Sequence, residues 1–442
     1  MKRHLLATAL AAVSLTWAAS PAAWAKEPAA ALAPAASPEA LGFDSARLKR
    51  LDAAMAKAVA DGRVAGVQTL LARHGQVVAF NTHGKANLET GAGLEKDAIF
   101  RIYSMSKPVT GVAMMILFEE GRWRLDDPIT KFLPEMKDLK VWKGLDAKGQ
   151  PVLEPVKRPP TMRELMSHTA GFGYGLSDKH PVDQMFRDQR VLGASDLKDL
   201  TAKVAAIPLM YPPGEQWSYS VAVDLQGAVV ERLSGQALGD FLEARLFKPL
   251  KMNDTGFYTG ADKASRLAAV YIGNPDTGRI EEAKTLFNQP IQDFTRKPVL
   301  ESGGGGLVST TRDYARFAQM IANGGELDGV RILSPASVEL MGTNVIPAAA
   351  LVSSNGSTSS SFNEAVGFGL DFMVVNDPRK AGSLEGKGTM SWGGAAGTWF
   401  WVDRANDVVF VGMIQRYGGT GGDDLGGLSR TLVYQALVDP AK

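Results

Sequence analysis

Arg101-Ile102-Tyr103-Ser104-Met105-Ser106-Lys107-Pro108 runs into Val109-Thr110-Gly111-Val112-Ala113-Met114-Met115-Ile116-Leu117-Phe118 and stops at Glu119-Glu120-Gly121. Ser104 and Lys107 are three apart, so on a helix they share a face and the hydroxyl can meet the amine. Pro108 fits only a first helical turn, where its missing N–H would bond to nothing, which places Ser104 at or near the helix start. The dipole and free N–H groups there favour negative charge, as an attacking serine and its oxyanion require. The run after Pro108 is apolar on nearly all sides and reads as a buried helix.

Upstream, Phe43 to Ala60 has the spacing of an amphipathic helix, and Val64–Leu71 with Val77–Asn81 reads as a hairpin turned at Arg73-His74-Gly75-Gln76. Downstream of Arg124, short apolar groups are broken by Pro, Lys and Gly. Thr161 and Glu164 make a capping box for a helix that ends near Ser167-His168-Thr169-Ala170-Gly171. Helical patterns follow at Val182–Arg190, Leu197–Ile207, Ala222–Leu233 and Leu238–Leu246, with no strand pattern between them. From Glu301 the glycine and strand signals return: Gly303–Gly306, a helix from Thr311 to Asn323, and strands at Phe368–Val375, Thr398–Val402 and Val408–Ile414. A last amphipathic helix spans Leu425–Leu437. The expected fold is α/β (α+β). An antiparallel sheet flanked by helices is built from both termini (41–125 and 300–442), and a mostly helical lobe (126–299) is inserted. A ligand cleft belongs between the lobes, bordered by Gly173–Arg190 and the Ser/Thr-rich Ser353–Ser361.

The chain has 442 residues and a net charge of +1, so nothing in its charge points to nucleic acid. It has no cysteine, which excludes disulfides, thiol nucleophiles and thiolate metal sites. Residues 1–25 follow the secretory pattern: Lys2 and Arg3, an apolar run from Leu5 to Ala19, then Ala23-Trp24-Ala25. Export to the periplasm or medium is expected, with 26–40 as a flexible Ala/Pro-rich leader. No later run is long enough to span a membrane, and no feature specifies an oligomeric state.

Serine needs a base. His168 lies at a helix end, where capping or packing is its ordinary role, and His74 and His180 fall in a turn and a polar loop. No HExxH and no GxSxG occurs, which argues against a zinc hydrolase and leaves out the nucleophile elbow of α/β-hydrolases. Lys107 remains, with a second base. Tyr219 follows the rigid Pro212-Pro213-Gly214 turn and precedes an apolar helix. With an ordinary pKa of about 10, a tyrosine needs a neighbouring cation to act near neutrality, and Lys107 would supply it. Taken alone, such a tyrosine more often packs a core. The third stretch is Thr389-Met390-Ser391-Trp392-Gly393-Gly394-Ala395-Ala396-Gly397-Thr398-Trp399-Phe400, where glycines allow close approach to a strand; alone, it also reads as a β-bulge.

In this order, Ser104-Met105-Ser106-Lys107, Tyr219-Ser220-Val221 and Trp392-Gly393-Gly394 resemble the serine β-lactamase and penicillin-binding protein superfamily. Within it they are most similar to the class C β-lactamase-like esterases called family VIII carboxylesterases. The resemblance covers about residues 40 to 437 and implies a β-lactamase/transpeptidase-like fold with no metal or cofactor. It implies that Ser104 is acylated, that Lys107 and Tyr219 share the proton, and that the N–H groups of Ser104 and Ala395 hold the oxyanion. Trp392, Gly393, Gly394 and Val221 would contact substrate. Two positions depart from the class C pattern: Val221 stands where Y-x-N has an amide, and Trp392 where K-T-G has a cation. An apolar, uncharged mouth suits small neutral esters over anionic lactams. The expected activity is a short-chain carboxylesterase. A β-lactamase, D-amino-acid peptidase or oligoamide hydrolase is the alternative, and a non-catalytic binding domain the second.

Overall fold

A computed structural model describes residues 31–177, 180–286, 289–347, 350, 362–418 and 424–441. The expected signal segment and the Ser353–Ser361 loop lie outside the described residues.

The main sheet is assembled from the two ends of the chain. Its strands are β1 (Ala33–Pro34), β2 (Gly66–Arg73), β3 (Gln76–Gly84), β4 (Val366–Phe368), β5 (Met373–Val375), β6 (Met390–Gly393), β7 (Trp399–Asp403) and β8 (Val408–Met413). They lie in the order β1-β3-β2-β8-β7-β6-β5-β4. All pairs are antiparallel except β1 with β3. Side-chain alternation on β7 and β8 builds two cores. Trp401, Val408 and Phe410 face α1 (Ser45–Ala60) and the carboxy-terminal helix, whereas Phe400, Val402, Val409 and Val411 face the larger core. β2 is buried along its whole length. It is covered on both faces, and its polar Gln68, Thr69 and Arg73 are buried with the apolar residues.

α2 (Ser106–Glu119) is buried from Ser106 through Leu117. The middle of the chain contributes α3 (Met162–Met166), α4 (Pro181–Asp188), α5 (Leu197–Ala205), α6 (Ala222–Ser234) and α7 (Leu238–Leu242). α8 (Thr311–Ala322) and α9 (Leu425–Tyr434) complete the set named here. One apolar cluster runs from Leu70 and Phe400 of the sheet through α2 to Leu200 and Val229 of the middle segment.

Three features differ from the sequence reading. The middle third does contain strands: a hairpin, Lys140–Leu145 with Pro151–Pro155, and a three-stranded patch of Tyr271–Gly273, Ile280–Glu282 and Arg416–Tyr417. The hairpin is largely exposed and the patch strands are two or three residues long, so neither writes a period-two apolar pattern. Phe368–Val375 is two strands, because Asp371 adopts a left-handed φ of 63° and turns the chain back. Within the expected leader, Ala33–Pro34 is bonded to β3.

The capping box on α3 is present. Thr161 Oγ1 accepts from the Glu164 N–H at 3.3 Å, and a Glu164 carboxylate oxygen accepts from the Thr161 N–H at 2.8 Å. Thr161→Ala is expected to lower stability by about 1 kcal/mol, read as a shifted urea midpoint with an unchanged slope.

Candidate active site

Ser104 sits in a 3-10 turn, Tyr103–Met105, that feeds α2. Tyr103 takes a φ of 40°, an uncommon backbone for a residue with a side chain. Two bonds hold the turn: the Tyr314 hydroxyl donates to the Met105 carbonyl at 2.9 Å, and Ser106 Oγ accepts from the Leu307 N–H at 3.1 Å.

Lys107 lies one helical turn on and is fully buried. Its ammonium donates to the Gly304 carbonyl at 2.7 Å and the Tyr174 hydroxyl at 3.0 Å, and lies 3.4 Å from Ser104 Oγ. It also sits 4.9 Å from the Tyr174 ring centre and 4.5 Å from that of Tyr219, within cation–π range. Burial alone would pull its pKa down. Tyr174, Tyr219 and Asp224 outweigh that and hold it above the ordinary lysine value. Lys107 is therefore a cation at neutral pH.

Tyr219 is delivered by the Pro212-Pro213-Gly214 turn. Gly214 donates to the Thr169 carbonyl, and Ser218 to the His168 carbonyl. The Tyr219 hydroxyl is 2.6 Å from Ser104 Oγ. Behind its ring lies His168, 5.1 Å away between centres, buried and bonded through Nδ1 to Ser220. Burial, then the charge of Lys107, push the His168 pKa well below the usual histidine value, so the ring is neutral. His168 packs behind the site.

The third stretch enters on β6. Gly394 donates to the Thr398 carbonyl at 2.7 Å. A β-carbon at Gly394 would fall 2.3 Å from the Ile102 carbonyl, so only glycine lets this turn lie against the chain entering Ser104. The Ala395 N–H has no hydrogen-bond partner among the described residues.

A cavity of about 760 Å³ opens over these groups and is lined by Ser104, Tyr219, Trp392, Gly393, Gly394 and Ala395. Val221 is not in its wall. It is fully buried in the main core at the start of α6, so the expectation that it contacts substrate is corrected. The expectation of an uncharged mouth is corrected as well, because Arg187, Arg190 and Arg430 line the cavity.

Sequence reasoning missed three partners of Lys107: Tyr174, the Gly304 carbonyl, and Asp224 beneath them. Asp224 is fully buried. One oxygen accepts from Ser302 at 2.5 Å and from the Gly304 N–H at 3.2 Å; the other has no hydrogen-bond partner among the described residues. Burial raises its pKa, against the opposing charge of Lys107. A charge inside the apolar Val221-Ala222-Val223-Asp224-Leu225 was the legible signal. Among the described residues, no cluster of three His, Asp or Glu could hold a metal ion.

The sequence matches the Beta-lactamase family profile over residues 51–434. An uncharacterized protein of Mycobacterium tuberculosis is 34% identical over 360 residues, 80% of this chain and 86% of its own. Esterase EstB of Burkholderia gladioli is 31% identical over 386 residues, 83% of this chain and 90% of that protein. Among solved structures, EstCE1, a hydrolase with promiscuous acyltransferase activity, matches with a TM-score of 0.70 at 26% identity, over 88% of this chain and 99% of that one.

His168 gives a pH-dependent expectation. Its folded pKa is depressed, so the neutral ring costs no stability above about pH 6.5, the unfolded value. As pH falls below that, the unfolded chain gains a proton that the native state refuses. The wild-type advantage over His168→Gln in urea unfolding should shrink there by up to about 1.4 kcal/mol per pH unit. A pH-independent difference would show that the native ring accepts its proton freely.

Proposed function

The chain belongs to the Beta-lactamase family of serine hydrolases, and on that premise we propose that it is an exported carboxylesterase. Its substrates are short-chain acyl esters, cleaved through an acyl-enzyme on Ser104. One observation carries the reading: the Tyr219 hydroxyl lies 2.6 Å from Ser104 Oγ, with the buried Lys107 ammonium under both.

Because Lys107 is already protonated, it does not take the serine proton. The Tyr219 oxygen, 2.6 Å from Ser104 Oγ, is the group placed to take it, and the ammonium 4.5 Å from its ring offsets negative charge on that oxygen. Ser104 Oγ then attacks the ester carbonyl, and the oxyanion is held by the N–H groups of Ser104 and Ala395. Collapse breaks the C–O bond, and Tyr219 returns the proton to the departing alkoxide. A water next gives its proton to Tyr219 and attacks the acyl carbon, and the proton goes back to Ser104 as the acid leaves. Asp224 acts at one remove: it fixes the Gly304 carbonyl that receives Lys107 and supplies a nearby negative charge.

The ester preference is supported by Trp392, whose indole stands where lactam-binding relatives carry a cation, and by the likeness to esterases. Export is supported by the pattern of residues 1–25.

The test is turnover of p-nitrophenyl butyrate beside nitrocefin. Wild type should cleave the ester faster, and Ser104→Ala should abolish both. Faster nitrocefin turnover would replace the ester reading by a lactam one. Tyr219→Phe should lose about 10²- to 10⁴-fold in kcat. Asp224→Asn should lose roughly tenfold in kcat with little change in KM. A Tyr219→Phe enzyme at wild-type rate would remove the phenol from the mechanism.

A further inference from the structure

We propose that the substrate of this site carries a carboxylate, received by Arg190 at the cavity wall; the proposal rests on the ester reading and narrows its substrate class. The wall is mostly apolar, with Phe186, Val191, Leu286, Ile291 and Phe294 among its residues. Its charged members among the described residues are three arginines, and no Asp or Glu is among the described lining residues. A cleft with low-dielectric walls and one sign of charge concentrates ligands of the other sign.

The three arginines are not equivalent. Arg430 is paired with the buried Glu385 at 3.1 Å and lies against the Trp401 ring. Arg187 is committed to the loop that forms one wall, donating to the Gly175 and Ser177 carbonyls at 3.1 and 2.7 Å. Arg190 is exposed, and its guanidinium has no hydrogen bond or ion pair among the described residues.

The backbone at Arg190 is unusual. It takes a left-handed φ of 49° between α4 and the Val191–Gly193 turn. A non-glycine residue there costs free energy, and such outliers gather at ligand sites. The side chain runs past Gly193, where a β-carbon would lie 4.0 Å from Nε, so nothing at that position obstructs it. Val191 and Leu192, the next two residues, also line the cavity. The turn thus presents a free planar donor beside an apolar wall, a geometry suited to a two-pronged bond with a carboxylate.

The carboxylate belongs either to the acyl part or to the alcohol part, and matched pairs separate the two. Mono-p-nitrophenyl adipate against p-nitrophenyl hexanoate tests the acyl side. 4-Acetoxybenzoate against its methyl ester tests the alcohol side. In one pair, the charged-to-neutral ratio of kcat/KM should fall roughly tenfold in Arg190→Gln. Arg190→Lys should keep part of that ratio, and 0.5 M salt should lower it in wild type. A ratio unmoved by Arg190→Gln in both pairs, with neutral esters still cleaved, overturns the proposal and leaves the ester reading standing. Absence of wild-type turnover on all four esters overturns the ester reading, and this proposal with it.

Discussion

The site is built around an ammonium ion with no access to water. A buried charge costs several kcal/mol unless its donors are satisfied and an opposite charge lies close. Lys107 meets that demand with the Gly304 carbonyl, the Tyr174 hydroxyl and Asp224, and with two aromatic faces. Each partner comes from a different part of the chain: the glycine run before α8, the loop after α3, and the first turn of α6. The demands of one cation therefore fix how the middle of the chain meets the two ends, and they bring Tyr219 onto Ser104.

Close approach is the second constraint. Gly304 touches both Asp224 and Tyr174: a β-carbon there would lie 2.6 Å from the free carboxylate oxygen and 3.0 Å from the phenol oxygen. Gly111, inside α2, leaves room for Asp371, whose carboxylate oxygen would be 2.8 Å from a β-carbon. These glycines give up helix propensity or backbone order so that neighbouring chains can pass. The turn at Gly394 does the same against the backbone just before Ser104. The hydroxyl, the phenol and the cavity-lining strand are held by main-chain contacts as much as by side chains.

Much of this was legible in the sequence because it is local. The Ser104–Lys107 spacing, Pro108 and the apolar run specify a buried helix with chemistry at its tip. The Thr161–Glu164 box specifies where α3 begins, and the alternation in 399–413 specifies two sheet strands. The partners of Lys107 were not legible, because they lie 67 and 197 residues away and are chosen by packing. Val221 was misplaced for a related reason. Motif position says which residue follows Tyr219, but whether that side chain points to the cavity or the core depends on how α6 starts. Short exposed strands such as 140–145 leave too few residues for any period to emerge.

The central claim is that Ser104 is a nucleophile activated by the Tyr219–Lys107 arrangement. The most direct measurement is mass spectrometry of the protein after brief exposure to a fluorophosphonate, with the modified peptide sequenced and the labelling rate compared in Tyr219→Phe. The account predicts a single adduct on Ser104, formed far more slowly in the variant. An adduct on another residue, or equal rates in the two proteins, would contradict it.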